Sequence, residues 1–83
     1  MAEVDNALMP FETALAMVKD GETMIAREGW NGEGLIVMAQ LPDEDSKMEN
    51  PYLYIDARAL GGGRNPWVPS ATDLFAEDWY EVK

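Results

Sequence analysis

Two apolar runs, TMIAREGW at residues 23–30 and LIVMAQL at residues 35–41, flank the four residues NGEG. Asn-Gly accepts the positive φ angles that a tight hairpin turn requires, so this juxtaposition is the strongest short-range signal of an antiparallel strand pair. The second glycine predicts a longer or bulged turn. We therefore expect residues 23–30 and 35–41 to pair, and the rest of the fold has to be built around that hairpin.

Upstream of it the periodicity is helical. In PFETALAMVKDG the residues Phe11, Ala14, Leu15 and Val18 fall at i, i+3, i+4 and i+7, which is one face of a helix. Pro10 suits the first helical position, where its missing N–H costs nothing, and Gly21 suits the left-handed residue that ends a helix. Downstream, PDEDSKMENP reads as a charged loop and YLYIDARA as a further strand. GGGRNP reads as another loop. Ser70 and Asp73 have the spacing of a capping box for a short helical turn, and DWYEV reads as a closing strand. The sum is an α+β domain: one amino-terminal amphipathic helix packed on an antiparallel sheet of about four or five strands, with a short helical turn before the last strand.

All 83 residues are expected to form a single domain. A domain this small buries only about 60% of the surface exposed by its unfolded chain, so association with further copies is expected. With no cysteine and no histidine the chain has no disulfide framework, no zinc-thiolate site and no imidazole base. Sixteen acidic residues against six basic ones give a net charge of -10, which repels DNA, RNA and anionic membrane surfaces. The basic residues are Lys19, Arg27, Lys47, Arg58, Arg64 and Lys83. Arginine suits planar recognition of phosphate, so a pocket that gathers these few cations is one way for such a chain to bind an anion. No apolar run is long enough to span a membrane, and MAEVDNALMP lacks the basic start and apolar core of a signal peptide, so a cytosolic protein is expected.

The motifs that suggest catalysis are weak. GGGRNP lacks the Lys-Ser/Thr pair and following helix of a phosphate loop. Asp43, Glu44 and Asp45 lack the alternating ligands of an EF-hand and read as a solvated loop. Glu77 and Asp78 are chain neighbours that point different ways, not facing carboxylates. No metal, no cofactor and no enzymatic activity are expected. The tryptophans carry more information. Trp79 reads as core and Trp67 as packing under the last strand, whereas Trp30 adjoins the turn three residues after Arg27. Its ring is either core or a shelf on which a nucleobase can stack, a contact that contributes on the order of 1–3 kcal/mol.

The order helix, REGWNG, strands, PW and then SATDLFAEDW resembles the small phage family called Thoeris anti-defence two, over about residues 9–82. The resemblance implies a molecular sponge that binds, without cleaving, a cyclic ADP-ribose-type immune signal made by TIR-domain enzymes. Glycocyclic ADP-ribose is the expected ligand, with cyclic dinucleotides of CBASS-type immunity as an expected second class at a second site. It also implies a homotetramer, a dimer of dimers with pockets at subunit interfaces, acting in the cytoplasm of an infected bacterial host. Trp30 and Asp73 lie in the matched motifs and are the first ligand-binding candidates. Adenine would stack on Trp30; Arg27, Arg64 or N–H groups near Ser70 and the glycine loop would hold the pyrophosphate; Thr72 and Asp73 would meet ribose hydroxyls. Asn31, in the turn, completes the set. Asp73 has a competing role as a helix cap, and Arg27 as a strand-face salt bridge. The alternative function is an acidic mimic of nucleic acid that occupies a basic groove on a host protein.

Overall fold

The computed structural model describes residues 7–30 and 34–83. Helix α1 spans Phe11–Val18. It is followed by strand β1 at Met24–Arg27, a 3-10 turn at Glu28–Trp30, and β2 at Ile36–Gln40. Strand β3 runs over Tyr52–Asp56, a second 3-10 turn over Arg58–Leu60, β4 over Arg64–Pro66, helix α2 over Ala71–Phe75 and β5 over Trp79–Val82. The five strands form one sheet in the order β4-β3-β2-β1-β5, with every neighbouring pair antiparallel. This is the expected α+β arrangement of an amino-terminal helix, an antiparallel sheet and a short helix before the last strand.

Strand alternation separates two faces. Ile25 opposes Val37, Val37 opposes Ile55, Ala39 opposes Leu53 and Arg27 opposes Trp79, so these side chains share one face. Helix α1 lies on that face through Phe11, Ala14 and Val18, and the core is closed by Ile25, Val37 and Trp79. Four of these side chains, Val18, Ile25, Val37 and Trp79, are wholly buried, each contributing about 1.5–3 kcal/mol or more relative to exposure. The opposite face carries Met24, Ala26, Ile36, Met38, Tyr54, Tyr80 and Val82, and among the described residues no helix covers it.

Several boundaries differ from the sequence expectation. Pro10 stands one position earlier than expected, as the N-cap, with extended backbone at φ -71° and ψ 163°. Residues 28–30 leave the strand for a 3-10 turn: the Glu28 N–H makes the last ladder bond, to the Asp78 carbonyl, and the Gly29 N–H is then taken by the Asp78 carboxylate. The YLYIDARA strand ends at Asp56, whose carboxylate accepts from the Arg58 backbone and side chain and turns the chain. GGGRNP is not all loop: Arg64–Pro66 pairs with Tyr54–Asp56 as β4. Pro66 is tolerated because β4 is an edge strand, where one side of the backbone needs no ladder donor. Gly21 has the left-handed conformation expected of it, φ 79°, and a Cβ there would stand 2.7 Å from Leu41 Cδ1.

Candidate functional site

Helix α2 begins with the expected capping box. The Asp73 backbone N–H donates to Ser70 Oγ at 3.2 Å, while Asp73 Oδ2 accepts from the Ser70 N–H at 3.0 Å and from its hydroxyl at 2.9 Å. The other carboxylate oxygen, Oδ1, accepts from Arg27 Nη1 at 3.0 Å. Asp73 is therefore both helix cap and ion-pair partner. Arg27 reaches a second carboxylate too, its Nε donating to Asp78 Oδ1 at 2.9 Å. The three side chains are 16%, 13% and 26% exposed for Arg27, Asp73 and Asp78, so this is a largely enclosed network.

The electrostatics follow from those contacts. The Asp78 carboxyl is held below its usual range chiefly by the Arg27 guanidinium, against the opposing effect of burial and with help from the Gly29 N–H. Burial pushes Asp73 upward, but the Ser70 donors and Arg27 outweigh it and its value is also lowered. Arg27 is raised, first by its bond to Asp78. One guanidinium between two carboxylates leaves the cluster with a formal charge of one negative unit.

Beside the network stands an aromatic cluster. Trp30 sits edge-on to Trp79 with centroids 5.3 Å apart and to Trp67 at 6.3 Å, and Phe11 lies 5.2 Å from Trp79. The Trp79 indole N–H donates to the Asp73 carbonyl at 3.0 Å, tying the aromatic cluster to α2. Trp79 is core and Trp67 packs beside it, as expected; Trp30 is half-buried. A shallow cleft of about 160 Å³ adjoins it, lined by Ala26, Arg27, Trp30, Ile36, Tyr80 and Val82 among others.

The structure thus brings Trp30, Arg27, Ser70 and Asp73 to one corner. Thr72 is exposed in the first turn of α2. Asn31 lies outside the described residues. Arg64 is elsewhere, on β4, three strand spacings or roughly 14 Å from β1. There it shares Asp56 with Arg58, whose guanidinium bonds lower the Asp56 carboxyl to about 2. Arg64 also lines a cleft of about 140 Å³ with Gln40, Tyr52, Tyr54, Asn65 and Pro66. Sequence reasoning set Asp78 aside as half of an unpromising carboxylate pair and did not single out Tyr52 or Tyr54. The available signal for Asp78 was its position directly before Trp79, which the pairing of the closing strand with β1 places beside Arg27.

The class defined by this fold and corner is a small α+β domain with one covered sheet face and a networked surface assembled from two distant sequence segments, residues 27–30 and 70–79. Residues 9–82 match the Thoeris anti-defense 2-like domain, and the chain belongs to that anti-defence family. It is 29% identical over 82 residues to the protein named Thoeris anti-defense 2 of Bacillus phage SP01, covering 86% of this chain and 91% of that relative.

Proposed function

We propose that this protein is a non-catalytic sponge that sequesters a cyclic ADP-ribose-type immune signal, glycocyclic ADP-ribose, in the cytoplasm of an infected bacterial host. The observation that carries the reading is the meeting of the REGW and SATDLFAEDW segments in one corner, where a half-buried tryptophan stands beside ordered hydrogen-bonding groups. Trp30 offers a ring for adenine. Asp73 uses three of its roughly four lone-pair positions on Ser70 and Arg27, leaving one for a ribose hydroxyl. Thr72 and Asn31 supply further polar contacts. Arg27 is already neutralised, so the pyrophosphate falls to backbone N–H groups near Ser70 and to a cation outside the network.

Arg64 is that cation if it comes from a neighbouring copy. The clefts beside Arg64 and Trp30, about 140 and 160 Å³, are small beside the roughly 300–1,000 Å³ typical of ligand pockets, so a complete pocket at either place calls for a second subunit. The open sheet face is the surface suited to this. Its acid, Asp56, is held chiefly by Arg58, so two copies of a strongly acidic chain meet there without opposing free acids, and the exposed Arg64 keeps a charge to offer a ligand. A tetramer made as a dimer of dimers follows if a second patch, such as exposed Val68 and Phe75, also pairs. The Arg64 cleft, with Tyr52 and Tyr54 for stacking, is the place for a cyclic dinucleotide.

The test is a thermal-shift panel of cyclic ADP-ribose isomers and cyclic dinucleotides, repeated with Trp30→Ala. A ligand at about 100 times its dissociation constant adds roughly 2.7 kcal/mol, or about 10 °C or more for a domain of this size. Glycocyclic ADP-ribose should stabilise the parent, fail to stabilise the variant, and be recovered chemically intact after denaturation. An altered nucleotide would mean an enzyme, and no shift with any nucleotide would point to a protein partner.

A further inference from the structure

Asp78 bonds three consecutive residues of the segment that leads into Trp30. Its Oδ1 accepts from Arg27 Nε at 2.9 Å, its backbone carbonyl from the Glu28 N–H at 2.9 Å, and its Oδ2 from the Gly29 N–H at 2.8 Å. The next residue is Trp30, the last of the 3-10 turn. The Glu28 bond is the last rung of the β1–β5 ladder, and the Gly29 bond, to a side chain instead of the backbone, is the one that takes the chain out of the strand. Gly29 fits the same account. Its φ is not in the left-handed region, so glycine is not required by the backbone; a Cβ there would instead stand 3.0 Å from Asp78 Oδ2 and 3.5 Å from Arg27 Nη2. The absence of a side chain at position 29 lets the carboxylate close on the turn.

From this geometry we infer that Asp78 is a positioning residue for the ligand site: it clamps Arg27, Glu28 and Gly29 so that the Trp30 ring is presented in a single orientation. The inference rests on the sponge reading for its functional consequence, since it supposes that Trp30 touches the nucleotide. Trp30 is not held by the clamp alone, because its ring also abuts Trp67 and Trp79. The clamp therefore selects among orientations of a ring that already has an apolar seat, and its loss leaves the core in place.

The experiment uses the full chain labelled with 5-fluorotryptophan, whose three fluorine resonances are assigned with Trp30→Phe and Trp67→Phe. Asp78→Asn keeps the backbone carbonyl bond but turns an amide donor toward either Arg27 or Gly29. Gly29→Ala wedges the clamp open from the other side without backbone strain. In both variants the Trp30 resonance should shift or broaden most, with smaller ring-current shifts at the Trp67 and Trp79 rings it abuts and a cooperative thermal transition retained. Affinity for glycocyclic ADP-ribose should fall about tenfold if the freed turn adopts the binding arrangement about a tenth of the time. An unchanged Trp30 resonance in both variants, or collapse of all three resonances to the unfolded position, overturns the positioning role. Unchanged affinity alongside a displaced Trp30 resonance overturns its functional consequence. The sponge reading fails separately, if Trp30→Ala binds the nucleotide as the parent does.

Discussion

At the scale of single residues, the Arg27 guanidinium is the point on which two carboxylates depend. Arg27→Leu keeps most of the side-chain volume but leaves Asp73 and Asp78 largely enclosed and without their cation, at an expected cost of about 2–3 kcal/mol in urea unfolding. The same contacts give the fold an acid limit. Asp73 and Asp78 both have folded values below the unfolded carboxylate range, so their stabilisation is complete above that range. It drains away as pH falls through the folded values, because the unfolded chain takes up protons first. Unfolding free energies of the parent and Asp78→Asn, measured from about pH 6 down to about pH 2, should therefore converge as the pH falls below about 4.

At the scale of elements, α2 is only five residues long and leans on its cap. Ser70→Ala should cost about 1 kcal/mol, seen as a fall in Tm of about 4–8 °C. Gly21→Ala should cost more than that cap, since φ 79° and the Leu41 side chain both oppose a Cβ; chemical denaturation checks the order of the two. The elements with a strong local signal were legible in the sequence: α1 from its apolar spacing, the capping box from Ser70 and Asp73, and the closing strand from its aromatic run. The ends of β1 and β3 were not, because Asp78 and Asp56 end those strands, and neither bond belongs to a periodic pattern. Strand β4 was hidden for a related reason. Three residues next to a glycine run have no alternation to read, and only their pairing with Tyr54–Asp56 makes them a strand. Of the candidate site, Trp30, Arg27, Ser70 and Asp73 were named from their residue types and the resemblance. The bonds of Asp78 to three successive residues depend on the register of β5 against β1, which composition does not encode.

At the scale of the whole molecule, the sheet is covered on one side and open on the other. Met38 lies on the central part of the open face, where the Tyr54 hydroxyl rests 3.3 Å from its sulfur. If that face joins two copies, Met38→Glu should yield a monomer in sedimentation velocity, with an unchanged far-UV circular dichroism spectrum and weakened nucleotide binding. The sheet's borders point the same way. One outer strand is three residues long and ends in Pro66; at the other, Met9 and Trp79 exchange backbone hydrogen bonds of 2.8 and 3.1 Å, occupying the start of β5. A border treated in this way offers little template for another chain to zip alongside. Growth by lateral addition, the route to filaments, is therefore obstructed at both ends of the sheet. An apolar surface that can be satisfied only face to face favours assemblies that close on themselves, and so keeps even an abundant chain dispersed.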